Sequence, residues 1–388
     1  MSDIFSELAQ AKETLDLINI YQLESDDFYT GTVVALDENG VVLATVNENG
    51  IKDGFVFIQL RAIAEVESDS PDLSSMAFRI KTVAQEHLLQ PSFLHRHLNF
   101  DPYVPLLDQV LALAYQEKQL ILLALADEDD YYEGVIQSLG DTLKFDYFNR
   151  FNYAKSKAIT MDTITIDVVE FGGLDLYLGR QLYAQKPQHQ NLIRIKTSEL
   201  LPTFLEKARQ DAILISMQPK DVTNNFFVGY VTRLLEDSVL LSLLDMTGQF
   251  GGYVLIRLSE IAEISAVSDY IHTIGFYEQA NKKRGLLVQP VLKQPWPIHE
   301  ALLWSNIIYY AQTKGHLIRI RYHGDAENSY LGYPSQFDGT QFELQLLDER
   351  TEQPAPSTVT IRLEDCLEIA FDYLNSYLLE AEFRHHNE

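Results

Sequence analysis

Apolar positions in this chain alternate in short runs, and glycines and polar turns separate the runs. Residues 28–36 alternate around Gly31, residues 41–46 follow an Asp37-Glu38-Asn39-Gly40 turn, and residues 54–60 and 63–66 complete the set. Alternation over 4–8 residues marks a half-buried strand, and Asn-Gly supplies the positive φ angles of a tight hairpin. Residues 2–14 predict a helix, capped by Ser2 or Asp3 and apolar along Ile4, Phe5, Leu8 and Ala11. Leu15, Leu17 and Ile20 then alternate like a further strand. One helix and five short, bent strands predict a small barrel.

The same pattern returns 198 residues later. Residues 26–66 lie without a gap over 224–264, matching Gly31 to Gly229, Gly54 to Gly252, Val56 to Val254 and Ile58 to Ile256. Repetition at fixed spacing comes before any single motif in deciding architecture. Segment 68–99 keeps Phe78 in step with Phe276 and is expected to pack on the barrels. A helix over 105–118, an apolar strand over 120–125 and strands through 131–136, 143–148, 159–161 and 164–169 predict a second, more divergent barrel. Residues 198–264 repeat the first plan. A helix over 297–314, ended by Gly315, and strands over 317–322, 359–363 and 367–371 repeat the second. The expected fold class is mainly β with added helices (α+β): four small barrels, each preceded by a helix, as an internal duplication of a two-barrel half. The expected domains are 1–98, 99–197, 198–290 and 291–388.

Gly31-x-Val33-x-x-Leu36-Asp37 with Val41-x-Leu43 resembles the first motif of Sm-like (LSm/Hfq-type) proteins. Phe55-Val56-Phe57-Ile58 leading to Ile63-x-x-Val66 is similar to the second. The resemblance covers about fifty residues per copy, mostly at fold-determining positions that SH3-like barrels share. It implies Sm-like barrels and, in the family, single-stranded RNA as ligand. The family's RNA-contact residues are not matched. Val41 and Val239 stand where an RNA-binding member has asparagine. Leu60-Arg61 and Leu258-Ser259 stand where a lysine–histidine pair is found in Hfq-type members.

Charge pushes the same way. The chain carries 30 basic and 56 acidic residues, a net charge of −26, which repels nucleic acid and acidic membranes unless a local basic patch overcomes it. No apolar run approaches a membrane-spanning length, and the N-terminus lacks the pattern of a signal peptide. Cys366 is the only cysteine, so no internal disulfide framework and no cysteine-rich metal site is expected. A cytoplasmic location is expected.

No phosphate-binding glycine loop, HExxH, CxxC or GxSxG pattern occurs. Cys366 lies in an apolar stretch as a core thiol. The acidic run 127–130 lacks the spaced ligands of a calcium loop, and His95-Arg96-His97 does not complete a zinc site. Two basic features stand out. Lys282, Lys283 and Arg284 sit beside Gly285 in an expected exposed loop. Arg319, Arg321 and His323 alternate along one strand face, where the second barrel is expected to carry Ile121, Leu123 and Leu125. Either an anion or RNA contact or salt bridges to the surplus carboxylates would use them. The expected function is a non-enzymatic binding or scaffold protein with a protein or peptide partner, without cofactor or metal. Related surfaces in one chain would make it a covalent pseudo-oligomer. An Sm-type RNA-binding regulator and an enzyme with a site between barrels are the alternatives.

Overall fold

Four barrels do not form; the strands join into two large antiparallel sheets, one of ten strands and one of eleven. The structure is a computed structural model that describes residues 4–23, 28–88, 97–126, 128, 130–196, 199–220, 226–285, 302–347 and 354–387. The chain divides into unit 1, Met1–His189, and unit 2, Gln190–Glu388.

Unit 1 begins with α1 (Ile4–Thr14), β1 (Leu17–Gln22), β2 (Phe28–Leu36), β3 (Gly40–Val46), β4 (Lys52–Gln59) and β5 (Ile63–Glu67). It continues with α2 (Pro71–Gln85), α3 (Leu106–Glu117), β6 (Leu120–Leu125), β7 (Tyr131–Ser138), β8 (Thr142–Tyr147), β9 (Lys157–Asp162), β10 (Ile166–Phe171) and α4 (Leu174–Tyr183). The strand order is β5-β1-β2-β3-β4-β10-β6-β7-β8-β9. Closing a five-stranded barrel would require β4 to return to β5. Instead β4 pairs with β10, setting Ile58 opposite Val168 and Phe55 opposite Phe171. The reason lies in the sequence of β4. Phe55, Val56, Phe57 and Ile58 are all buried, so both faces of this strand are apolar. Val56 and Ile58 pack with Leu8 and Ala11 of α1, while Phe55 and Phe57 pack with Val110, Leu111 and Ala114 of α3. A strand apolar on both faces belongs in the interior of a sheet covered from both sides.

Unit 2 contains β11 (Ile193–Ile195), α5 (Leu201–Gln210), β12 (Ile215–Pro219), β13 (Phe227–Leu234), β14 (Ser238–Leu244), β15 (Phe250–Arg257), β16 (Ile261–Val267) and α6 (Asp269–Arg284). After these come α7 (Leu303–Lys314), β17 (Ile318–Tyr322), β18 (Asp325–Ser335), β19 (Gln341–Leu347), β20 (Pro354–Arg362), β21 (Cys366–Phe371) and α8 (Leu374–Asn387). The order is β11-β16-β12-β13-β14-β15-β21-β17-β18-β19-β20. The join is made by β15 and β21, with Ile256 opposite Glu368. Val254 and Ile256 face a core with Leu201 and Leu205 of α5, and Leu255 faces one with Ile307 and Ile308 of α7.

Several local expectations change. Residues 68–99, read as a connector, contain α2, whose N-terminus is capped by the Ser70 hydroxyl accepting from the Leu73 N–H at 3.2 Å. Gly40 has no positive φ. The turn before it is held by Asp37, whose Oδ1 accepts from the N–H groups of Asn39 at 2.9 Å and Gly40 at 2.7 Å. A side chain at Gly40 would collide with the Phe57 ring, so packing rather than backbone conformation demands glycine there. The predicted helix over 297–314 is seen as α7, and residues 297–301 lie outside the described residues. No helix among the described residues is long and apolar enough to cross a membrane.

Ile58 and Ile256 are both fully buried in these joined sheets. Ile58→Ala and Ile256→Ala are each expected to cost about 2–5 kcal/mol. Urea denaturation of the full chain checks this. Both tryptophans, Trp296 and Trp304, lie in unit 2, so their fluorescence follows Ile256→Ala, and hydrogen exchange follows Ile58→Ala. A loss well under about 1 kcal/mol would place these strands in another register.

Candidate functional site

The six basic residues singled out by the sequence do not form one surface. Arg321 is only 3% exposed and makes ion pairs with Glu260 and Glu368, each at 3.6 Å. Burial pushes the Glu368 carboxyl up to about 7 against the opposing pull of Arg321. Arg319 is exposed, with its guanidinium 5.4 Å from the centre of the Tyr373 ring. His323 is exposed just beyond β17, its N–H bonded to the Asp365 carbonyl at 2.9 Å. Lys282, Lys283 and Arg284 occupy the last turn of α6, not a loop, and Gly285 ends that helix with φ +66°. Cations there favour the negative end of the helix dipole. Lys282 also reaches Glu278 at 2.5 Å, which accepts in turn from the Tyr230 hydroxyl at 2.6 Å.

The contrast between a basic and an apolar strand face also needs correcting. In β6 Ile121 lies opposite Gly134, and in β17 Ile318 lies opposite Gly332. Ile121 and Leu123 therefore correspond to Ile318 and Ile320, and the partners of Arg319 and Arg321 are Leu122 and Ala124. A slip of one residue exchanges the two faces of a strand.

Unit 1 holds a charge cluster with no counterpart in that register. Arg150, on the loop after β8, pairs with Glu133 of β7 at 3.0 Å and with Asp175 of α4 at 3.0 Å. Glu170 of β10 lies nearby and accepts from the Tyr29 hydroxyl at 2.6 Å. Asp53 of β4 approaches because the backbone turns sharply at Gly54, φ +90°, and Gly172, φ +75°. A Cβ placed on Gly173 would lie 3.1 Å from Asp175 Oδ1 and 3.5 Å from Asp53 Oδ1, so the two carboxylates flank that glycine. Burial pushes Glu133 up to about 7, with Arg150 opposing and Asp175 and Glu170 adding to the rise. Burial raises Glu170 as well. Burial first, then Asp175 and Glu170, push Asp53 up to about 8, although this residue keeps an open face where water screens the effect. The cluster is one arginine among four carboxylates, a proton-accepting group near neutral pH. Among the described residues no set of histidine, cysteine, aspartate and glutamate has the arrangement to hold a metal ion. In unit 2 the places of Glu133 and Glu170 are taken by Leu331 and Ala370, which precede Gly332 and lie opposite Val254.

A cleft of about 1180 Å³ lies on unit 2. On its floor Arg257 covers the ring of Trp304, a core residue only 7% exposed, 4.6 Å from the centroid, with the indole N–H donating to Ser238 Oγ at 3.1 Å. Arg257 also pairs with Asp237 and donates to the Cys366 carbonyl at 3.0 Å. Leu302 is 64% exposed on the wall, and Arg362 and Glu364 stand on the rim. A smaller groove on unit 1, about 460 Å³, is lined by Phe148, Tyr153 and Tyr183 with Arg180 and Lys186. Cys366 is fully buried and its thiol is pushed up to about 12 by burial, so it is no nucleophile.

Sequence reading missed both the cluster and the cleft. Asp53, Glu133, Arg150, Glu170 and Asp175 come from five separate places in the chain, and Arg257 meets Trp304 from 47 residues away. No spacing signal connects them. Of the other motifs, His95, Arg96, Asp127 and Asp129 lie outside the described residues.

No family model matches the chain, and no curated protein matches it. Among solved structures it is similar to an HtrA-type protease AlgW with tripeptide, at 12% identity over 69% of this chain and 97% of that one, with a TM-score of 0.10. A likeness this slight carries nothing about fold or chemistry.

Proposed function

We propose that this chain is a non-enzymatic binding or scaffold protein whose partner is a protein or peptide. The observation that carries this is the unit 2 cleft. An arginine held flat over a buried tryptophan, an exposed leucine on the wall and a charged rim resemble the apolar centre and polar edge of protein interfaces. The cleft is also open enough for an extended segment. The duplicated pattern of residues 26–66 and 224–264 fits a scaffold that presents two related but differently furnished units. A cytoplasmic location fits a chain whose only cysteine is a buried free thiol.

A second proposal, an RNA-binding regulator, has one supporting observation, the unit 1 groove with the half-buried Tyr183 ring beside buried Phe148 and Tyr153, and two cations. Stacking on such rings contributes about 1–3 kcal/mol per base, but it does not draw a phosphate chain to a surface of net charge −26.

Reversible cross-linking and purification of the full chain from its native source separates the two. The expected eluate contains a defined protein, cross-linked to the cleft and lost when the exposed Leu302 is changed to glutamate. Nucleic acid that leaves as salt rises, with no defined protein, would put the RNA regulator first.

A further inference from the structure

The two sheets begin differently, and the difference has a chemical meaning. In unit 2 the strand β16 is covered on its outer side by β11, a segment of only three residues, Ile193–Ile195. Arg194 and Lys196 both reach Glu263 of β16, each at 3.2 Å. In unit 1 the corresponding strand is β5, and among the described residues no strand lies beyond it. The correspondence is fixed by pairing. Glu65 lies opposite Tyr21 of β1 just before a register shift, and Glu263 lies opposite Gln218 of β12 just before the same shift. Glu65 and Val66 thus stand where Glu263 and Ile264 stand, and Glu67 stands where Ser265 does.

Exposure follows the covering strand. Ile264 and Ser265 are buried and Glu263 is half-buried, whereas Val66 and Glu67 are half-buried and Glu65 is exposed. An uncovered sheet edge presents unpaired N–H and C=O groups to any extended segment that reaches it. The edge of β5 also carries one more carboxylate than that of β16, since Glu67 replaces Ser265. Glu67 already accepts from Asn19 at 2.8 Å, and Glu65 remains on the outer part of the strand. The other terminal strands, β9 and β20, have no covered counterpart to define what would fit them.

We infer that β5 is a docking edge for an extended segment of a protein partner, in which apolar and basic residues alternate as in Ile193-Arg194-Ile195-Lys196. The main chain of the partner would extend the sheet antiparallel to β5, and its basic side chains would meet Glu65 and Glu67. Main-chain pairing gives such strand addition its affinity, and the alternate side chains give it selectivity. This rests on the chain being a protein binder, but it concerns unit 1 and a surface separate from the unit 2 cleft. Its failure leaves the cleft proposal standing, and loss of the cleft proposal leaves this edge testable by itself.

The test uses the full chain and a capped synthetic peptide with the sequence of residues 191–197. Amide hydrogen exchange is read at 63–67 and separately at 261–267, where the peptide competes with β11. The expected result is slowed exchange at 63–67 that weakens as salt rises. Glu65→Lys should weaken the apparent affinity about tenfold. A peptide with glutamate at both basic positions should not protect the wild-type edge, and it should regain protection with Glu65→Lys. That rescue distinguishes recognition from damage to the fold. Protection unchanged by the charge swap, or confined to 261–267, would overturn the inference. So would exchange at 63–67 that is already slow and depends on protein concentration, which would assign the edge to a second copy of the chain.

Discussion

Arg150→Met is expected to destabilise unit 1 by about 3–5 kcal/mol at pH 8 and by clearly less at pH 5. The side chain keeps its apolar length, so the loss comes from charge. Without Arg150 the buried Glu133 is left beside the half-buried Glu170 and Asp175 with no arginine between them. The pH dependence has a definite sign. Glu133 has a folded pKa of about 7, above the ordinary glutamate value, so the folded state holds a proton that the unfolded state has released across that interval. Its contribution is therefore present below the ordinary pKa and lost as pH rises through about 7, at a slope approaching about 1.4 kcal/mol per pH unit for one proton. Removing Arg150 extends the loss to higher pH, because the carboxyls then hold their protons longer. Hydrogen exchange at β7 and β10, measured from pH 5 to 8 with correction for intrinsic exchange, follows unit 1 without interference from unit 2. A penalty equal at both ends of that range would show that packing, not charge, holds the cluster. Glu133→Gln in place of the arginine change should flatten the wild-type slope.

Arg321→Ala is expected to cost unit 2 about 3–5 kcal/mol at neutral pH. Arg321 is almost wholly buried between Glu260 and Glu368, and its loss strands Glu368 in a site that already disfavours its charge. The corresponding cross-strand pair of unit 1 is Ala124 opposite Val168, so the sheet accepts small apolar residues there. The double variant Arg321→Ala, Glu368→Val should accordingly recover most of the loss, since replacing both buried partners removes the desolvation cost as well as the attraction. Tryptophan fluorescence in urea reports the result directly. A double variant no more stable than Arg321→Ala alone would mean that Arg321 acts through packing of its aliphatic stem. Because Arg321 is structural, a test of nucleic-acid binding at this strand belongs to exposed Arg319 alone.

Strand positions were legible and their assembly was not. Alternation around Gly31 marks β2, and the unbroken apolar run 120–125 marks β6, whose Leu123 and Ala124 meet different cores. The decision between barrel and open sheet depends on which strand satisfies the free edge of β4, and β10 lies more than a hundred residues further along. The unbroken apolar run Phe55-Val56-Phe57-Ile58 was the available sign that this strand needed cover on both sides, and all four are buried. The helices α2, α4, α6 and α8 were not read as helices. Ser70-Pro71 was a usable start signal for α2. In α4 the buried Leu174, Leu176 and Leu178 imitate strand alternation. In α6 the buried Ile271, Ile274, Tyr277 and Ala280 are interleaved with buried Asp269, Thr273, Glu278 and Asn281, so polar residues break the apolar stripe. The charge cluster was illegible for a different reason: its members share no local period, and only the close approach at Gly54 and Gly172 brings Asp53 to them.

The central claim is that a protein or peptide partner binds at the unit 2 cleft, and hydrogen exchange of the full chain with its captured partner tests it most directly. Slowed exchange at residues 235–237, 302–305 and 362–364, weakened by Leu302→Glu, is the expected result. Unchanged exchange at all three stretches in a complex that demonstrably forms would contradict it.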